Sequence, residues 1–313
     1  TGTNSNITER LSVFDWNGSQ LVDEEILLTI DGGGIHNGSR LLILTDNTLL
    51  MSTGDTGDGG NSSQNLNSDN GKMLRLNLDG SVPDDNPWPG SYVYSWGHRN
   101  SQGLCLGADG TIYSSEHGQS NWDEFNIIEA GRNYGWPEVE GACSGNELAF
   151  CEEFNVREPL RSWAPCIAVN GIEYYDHPAI PAWNHSVLLS VMGGFNDPNK
   201  RLSILHLSED GLEVVSEDQY FSEFNQRVRD ICVNPITGAL YMALNGPSYP
   251  GWGPNIIKEF RPGVNDGIST IASELADALI YPNPSSDFVN IEVSDALLGG
   301  EYKIIDYSGR TVN

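Results

Sequence analysis

The stretch RLLILTDNTLLMSTGD (residues 40–55) is an apolar strand, a polar Asp-Asn-Thr turn and a second apolar strand that runs into a glycine-bearing loop. Aliphatic residues fill both arms, and the Asp-Asn pair tolerates the left-handed backbone that a tight reversal needs. The same unit returns in GLCLGADGTIYSSEHG (103–118) around an Asp-Gly turn and in VRDICVNPITGALYMALNG (228–246) around a Thr-Gly turn. VLLSVMGG (187–194) and KRLSILHLSEDGLEVV (200–215) add further apolar arms around another Asp-Gly. No helical periodicity separates these units. Recurrence of this kind predicts an all-β chain built as a β-propeller, with a β-sandwich as the structural alternative. Six blades of about 40–45 residues would need roughly 240–270 residues, close to the stretch before residue 265.

Composition narrows the function classes. The chain has 313 residues, 35 Gly, 16 Pro and a net charge of −27 with only 16 Lys and Arg. Neutralising nucleic-acid phosphates needs clustered basic residues, so nucleic acid is excluded as a partner. No apolar run reaches the length of a membrane span. The charge fits a secreted protein or one that binds divalent cations. Residues 1–16 (TGTNSNITERLSVFDW) carry no basic and apolar leader pattern, so the chain reads as processed or as a fragment. Five cysteines are present. Cys105 and Cys232 fall in strand patterns and are expected to be buried thiols. Cys143, Cys151 and Cys166 share one irregular stretch in which a single disulfide fits, most simply Cys143–Cys151. No zinc spacing occurs.

The character changes near residue 265. RPGVNDGISTIASELADA (261–278) is a small-residue linker, and LIYPNPSSDFVNIEVSD (279–295) and GGEYKIIDYSGRTVN (299–313) read as strands of a small β-sandwich-like module that is cut short. The expected organisation is a propeller over 1–264, a linker over 265–277 and a partial module over 278–313.

Chemistry-bearing residues concentrate in the loops between strands, where scaffolds display function. His36 sits in GGGIHNGSRL (32–41) and Asp55 in STGDTGDGG (52–60), each beside glycines that permit close approach. Singly these read as polar turn residues; together they read as a general base and the carboxylate that orients it. In a chain so poor in basic residues, Arg99, Lys200, Arg227 and Arg229 stand out. The two arginines of RVR are two apart, which in a strand places both on one face and points to recognition of carboxylate or phosphate.

Seven blocks then carry a family resemblance: HNGSRL (36–41), STGD (52–55), NGKMLRLNLDGSVPDDNP (70–87), YSWGHRNSQGL (94–104), SSEHGQSNWDEFNIIEAGRNYGWP (114–137), NKRL (199–202) and RVRDI (227–231). In this order they resemble the soluble quinoprotein sugar dehydrogenases, six-bladed propellers that use pyrroloquinoline quinone (PQQ) with calcium. The resemblance implies oxidation of an aldose C1 hydroxyl to the lactone. It implies that His36 is the general base, Asp55 its partner, and Arg99 the stabiliser of charge on the quinone. It further implies that Arg99, Asn100, His117, Lys200, Arg227 and Arg229 hold PQQ. Backbone carbonyls of Gly118 and Gln119 would reach the calcium beside PQQ, and Glu124 with the Tyr134 backbone a second, structural calcium. Only 35 residues precede His36, so the resemblance implies a propeller lacking its first blade. The C-terminal YPNP and DYSGR pattern resembles the sorting domain of type IX secretion substrates. It implies the secretion machinery as a partner during export, a Bacteroidetes-type route, and a secreted or cell-surface location. A non-catalytic binding propeller of the hedgehog-interacting type is the alternative function. Sequence patterns name neither the sugar nor the electron acceptor.

Overall fold

A computed structural model describes residues 7–194, 198–248 and 253–263, together with the backbone of four short strands beyond them. The chain divides into two units, Thr1–Pro262 and Gly263–Asn313.

The first unit opens with a hairpin of β1 (Thr8–Trp16) and β2 (Leu21–Asp31). Four antiparallel sheets follow, each formed by strands consecutive in sequence. The first comprises β3 (Leu41–Ile43), β4 (Thr48–Ser52), β5 (Lys72–Asn77) and β6 (Val93–Trp96). The second comprises β7 (Ser101–Leu106), β8 (Ile112–Glu116), β9 (Asp123–Ile127) and β10 (Arg161–Trp163). The third comprises β11 (Val169–Tyr175), β12 (Ser186–Val191), β13 (Arg201–Leu207) and β14 (Val214–Tyr220). The fourth comprises β15 (Val228–Val233), β16 (Leu240–Asn245) and β17 (Asn255–Phe260). Helix is confined to α1 (Leu148–Glu153) and three single turns among the described residues, as the strand-rich pattern predicts. No described helix is long and apolar enough to cross a membrane.

The first strands of successive sheets abut, β3 against β7, β7 against β11 and β11 against β15. Sheet therefore packs face to face on sheet, and the apolar core lies in the layers between them. Leu50 and Met73 of the first sheet meet Leu104 and Ile112 of the second. Tyr113 and Phe125 of the second meet Val187 and Leu189 of the third, and Leu188 and Ile204 of the third meet Ile231 and Met242 of the fourth. Neighbours in β12 thus serve opposite layers, which is why SVLLSV is apolar or small throughout and buried at every position. The hairpin joins by packing Leu11 and Ile30 on Leu49 and Leu74.

The second unit shows β18 (Ala278–Tyr281) paired with β19 (Asn290–Val293), and β20 (Ile304–Ile305) paired with β21 (Thr311–Val312). The 265–277 linker and most of the expected sandwich-like module lie outside the described residues.

Two thiol expectations separate. Cys143 and Cys151 form a disulfide, and Cys105 is a buried free thiol. Cys232 is exposed rather than buried. It lies on β15 beside Ile231, which packs inward on the third sheet and leaves its neighbour on the open side.

One half-buried acid makes stability depend on pH. Burial, and then the charge of Asp230, raises Glu173 on β11 from 4.5 to about 7. A carboxyl whose folded pKa exceeds its unfolded one stabilises the fold in its protonated form, and that contribution is lost as pH rises through about 7. Urea midpoints are expected to fall between pH 5 and pH 7.5, and Glu173→Gln to flatten that fall.

Candidate active site

The loops before β3 and after β4 meet because both are glycine-rich. A Cβ on Gly54 would collide with the His36 carbonyl, and one on Gly33 with Thr56. His36 itself takes a left-handed backbone (φ 53°), a conformation that costs a non-glycine residue about 1 kcal/mol or more and persists where surrounding structure enforces it. The enforcing contacts are visible: the Thr56 amide donates to the His36 carbonyl at 3.1 Å, and His36 Nδ1 lies 2.7 Å from Asp55 Oδ1.

Asp55 is almost wholly buried (1% exposed). Its Oδ1 also accepts from the Gly57 amide at 2.9 Å, and its Oδ2 accepts from the Trp136 indole N–H at 2.9 Å. Burial opposes ionisation here, yet the hydrogen bonds from His36, Gly57 and Trp136 outweigh it and hold the carboxyl below its ordinary pKa. The carboxylate is therefore a fixed acceptor toward His36, and with Nδ1–H donated to it, Nε2 is the imidazole atom left with a lone pair.

These residues line a cavity of about 350 Å³ together with Arg99, Gln119, Trp136 and Glu140. That volume is in the range of small-molecule sites. Arg99 lies with its guanidinium 5.2 Å from the centre of the Trp136 ring and donates from Nη1 to the His117 carbonyl at 3.2 Å. Its Nε is buried without a hydrogen-bond partner, so the site holds a cationic donor that a bound anion would satisfy. The Arg99–Asn100 backbone is held from below. Glu116 Oε1 accepts from the Arg99 amide and from the Asn100 amide at 3.2 Å, while Oε2 faces His98 Nδ1 at 2.9 Å. Asn100 Oδ1 takes the Gly38 amide at 3.2 Å, tying it to the His36 loop.

His117 is lowered by burial, opposed by Asp123 and assisted by the charges of Arg99 and Arg229. Arg229 is exposed and lines a different hollow with Asn245 and Ile257. Arg227 is buried, with Nη2 3.3 Å from Met192 Sδ. The two arginines thus differ in exposure. Arg227 precedes β15, and a register shift between Val228 and Asp230 breaks the strict alternation. Lys200 Nζ donates to Asn225 Oδ1 at 2.9 Å. Lys200, Arg227 and Arg229 are not among the residues that wall the His36 cavity.

Next to that cavity lies one of about 20 Å³, walled by Glu116, Gly118, Glu124, Tyr134 and Glu140 among others. Burial, and then the charge of Glu116, raises Glu124 to about 8. Its oxygens accept from the Gly141 amide at 2.8 Å and from Asn126 Nδ2 at 3.0 Å. A hard divalent ion beside it would offset both the burial and the charge of Glu116. Among the described residues no three His, Cys, Asp or Glu side chains are grouped to hold a metal.

Trp136, Glu116, His98 and Glu140 were not assigned roles from sequence. Trp136 and Glu116 stand inside the blocks already singled out, but only the folded chain shows that they grip Asp55 and the Arg99 backbone.

Residues 3–248 match the glucose/sorbosone dehydrogenase family. The chain belongs to this family. Residues 279–313 match the secretion system C-terminal sorting domain, which marks the protein for type IX secretion to the cell surface or beyond. The aldose sugar dehydrogenase of Escherichia coli is 27% identical over 220 residues, covering 67% of this chain and 57% of its own length. The quinoprotein glucose dehydrogenase B of Acinetobacter calcoaceticus is 38% identical over 138 residues, 37% of this chain and 29% of its own length. The PQQ-bound aldose sugar dehydrogenase of Streptomyces coelicolor superposes with a TM-score of 0.66 at 31% identity, covering 80% of this chain and 71% of that one. The chain thus spans a little over half of the E. coli relative's length.

Proposed function

We propose that the protein is a secreted quinoprotein that oxidises the C1 hydroxyl of an aldose to the lactone, with His36 as general base. The observation that carries this reading is the 2.7 Å contact between His36 Nδ1 and a buried Asp55, set on the wall of a cavity that also holds Arg99. Asp55 accepts the Nδ1 proton and fixes the tautomer, so that Nε2 takes the proton of a sugar hydroxyl. Trp136 closes one side of the cavity and restrains both Asp55 and Arg99. Arg99 supplies positive charge where an anionic ring system would lie. PQQ bound there supplies the acceptor for the hydride that leaves C1.

In this reading Arg99, Asn100, His117, Lys200, Arg227 and Arg229 hold PQQ, the carbonyls of Gly118 and Gln119 reach its calcium, and Glu124 and Tyr134 hold a second calcium. The hairpin and four sheets over 1–264 then form part of a six-bladed propeller, followed by a linker and the sorting module over 278–313. The relatives' names agree with a sugar substrate and with PQQ.

The test is reconstitution of the full chain with PQQ and Ca²⁺. PQQ is expected to bind only when Ca²⁺ is present, and an aldose is expected to convert the bound cofactor to its reduced spectrum. Binding without any spectral change across a panel of aldoses would favour a non-catalytic propeller instead.

A further inference from the structure

Lys72 opens β5 and is fully buried. Its Nζ donates to three backbone carbonyls, those of Ser62 at 2.8 Å, Ser63 at 3.0 Å and Asn70 at 2.7 Å. An ammonium has three N–H donors and no acceptor, so the three carbonyls use its whole capacity. Backbone carbonyls converging on one positive centre are the arrangement a bound monovalent cation requires; here the cation is tethered to the chain.

The caged segment is the one that carries Asp55. It leaves β4 at Thr53, whose amide donates to the Lys72 carbonyl at 2.9 Å, and returns at Gly71, whose amide donates to the Gly54 carbonyl at 2.9 Å. Ser63, one of the carbonyls on the ammonium, also accepts from the Gly97 amide at 3.0 Å, and its hydroxyl donates to the His98 carbonyl at 2.6 Å. The same turn is thereby linked to the peptide that presents Arg99. Asp58 and Asp69, both within the segment, face Lys72 electrostatically; burial draws its pKa to about 7 against their pull. Within the loop, Asp58 takes the amides of Gly60 at 2.8 Å and Ser62 at 2.9 Å.

We propose that Lys72 is a positioning residue, the internal cation on which residues 53–71 are built, and that through this loop it sets the place of Asp55 and so of His36. Removing the ammonium withdraws a donor from three inward carbonyls, of which those of Ser62 and Ser63 keep the Asn65 and Gly97 amides, each at 3.0 Å, and the cost falls on this loop because every carbonyl on Nζ belongs to it. The kinetic consequence rests on the aldose-dehydrogenase reading; the structural one does not.

The experiment is Lys72→Ala in the full chain, measured by amide hydrogen exchange and by aldose oxidation, with propylammonium as the probe that replaces the lost stem and charge. Exchange in 53–71 is expected to rise at least about tenfold while 186–207 keeps its protection. The kcat is expected to fall about 10²-fold, as small misplacements of reacting groups do, with KM for the sugar little changed. Propylammonium should restore both, and tetramethylammonium, which has no N–H, neither. Unchanged protection in 53–71, or protection lost equally from every sheet with no response to propylammonium, overturns the proposal. Should the variant not fold, the wild type carries the test. With four lysines in the chain, ¹⁵N-lysine labelling at pH 6 is expected to show one slowly exchanging ammonium, and a rapidly exchanging or neutral Nζ at Lys72 overturns it. A wild-type chain inert to all aldoses removes the functional reading and leaves the exchange result to decide the role of Lys72.

Discussion

Asp55→Asn is expected to lower kcat about 10⁴-fold, the scale seen when a base loses its tautomer-fixing carboxylate, while the fold is retained. The reason is donor and acceptor arithmetic. Asp55 accepts three hydrogen bonds, from His36 and Gly57 on one oxygen and from Trp136 on the other. An asparagine has one oxygen. If that oxygen faces Gly57 and His36, the amide N–H groups point at the Trp136 N–H, and two donors confront each other. Turning the amide over satisfies Trp136 but sets donors against Gly57 and His36. In that orientation His36 must present an acceptor at Nδ1 and carry its proton on Nε2, which is the atom that has to be free. Adding Trp136→Phe removes the indole donor and should return part of the lost kcat, because the first orientation then becomes tolerable. A double variant no faster than Asp55→Asn would show that Trp136 does not set the orientation. An Asp55→Asn enzyme with near-normal kcat would show that the carboxylate does not control His36 at all.

His36→Ala is expected to cost about 10²–10⁴ in kcat, the usual worth of a general base, with PQQ affinity changed by less than about threefold. In the proposed reading Arg99, Asn100 and His117 hold PQQ, whereas the hydrogen bonds of His36 run to Asp55 and Thr56. A base acts where the proton moves, which is in the transition state, so kcat and kcat/KM should fall together. Stopped-flow reduction of the bound cofactor gives the chemical step directly, and titration of PQQ absorbance gives affinity. Equal loss of cofactor binding would make His36 a structural residue, held in its left-handed conformation only to close the loop.

Much of the fold was legible because its information is local. RLLILTDNTLLMSTGD becomes β3, its turn and β4, with Leu41 opposite Met51 and Ile43 opposite Leu49. The encounter of His36 with Asp55 was also legible, since their loops flank one hairpin and glycines mark the crossing point. What was not legible is what depends on distance in the chain. Trp136 lies 81 residues from the carboxylate it holds, and no spacing rule reports such a contact. Lys72 reads as one more basic residue in a strand, and nothing in NGKMLRLN says that its ammonium turns back into the preceding loop. The RVR pair is harder to read, since a register shift between Val228 and Asp230 interrupts the period-two alternation on which the shared-face argument rests.

The disulfide bears on how an exported chain with an odd number of cysteines is oxidised without scrambling. Cys143 and Cys151 are eight residues apart, and closing so small a ring costs little chain entropy compared with any pairing to Cys105 or Cys232. Once the sheets have formed, the other three sulfurs carry less thiolate than an ordinary cysteine. Burial, reinforced by neighbouring carboxylates, raises the thiol pKa of Cys105, Cys166 and Cys232 alike, and exchange proceeds through the thiolate. The correct bond is therefore favoured first by proximity and then by the low thiolate content of its competitors, so oxidative maturation should reach one product without an isomerase. Mass mapping of the air-oxidised, refolded chain should find Cys143–Cys151 and three free thiols.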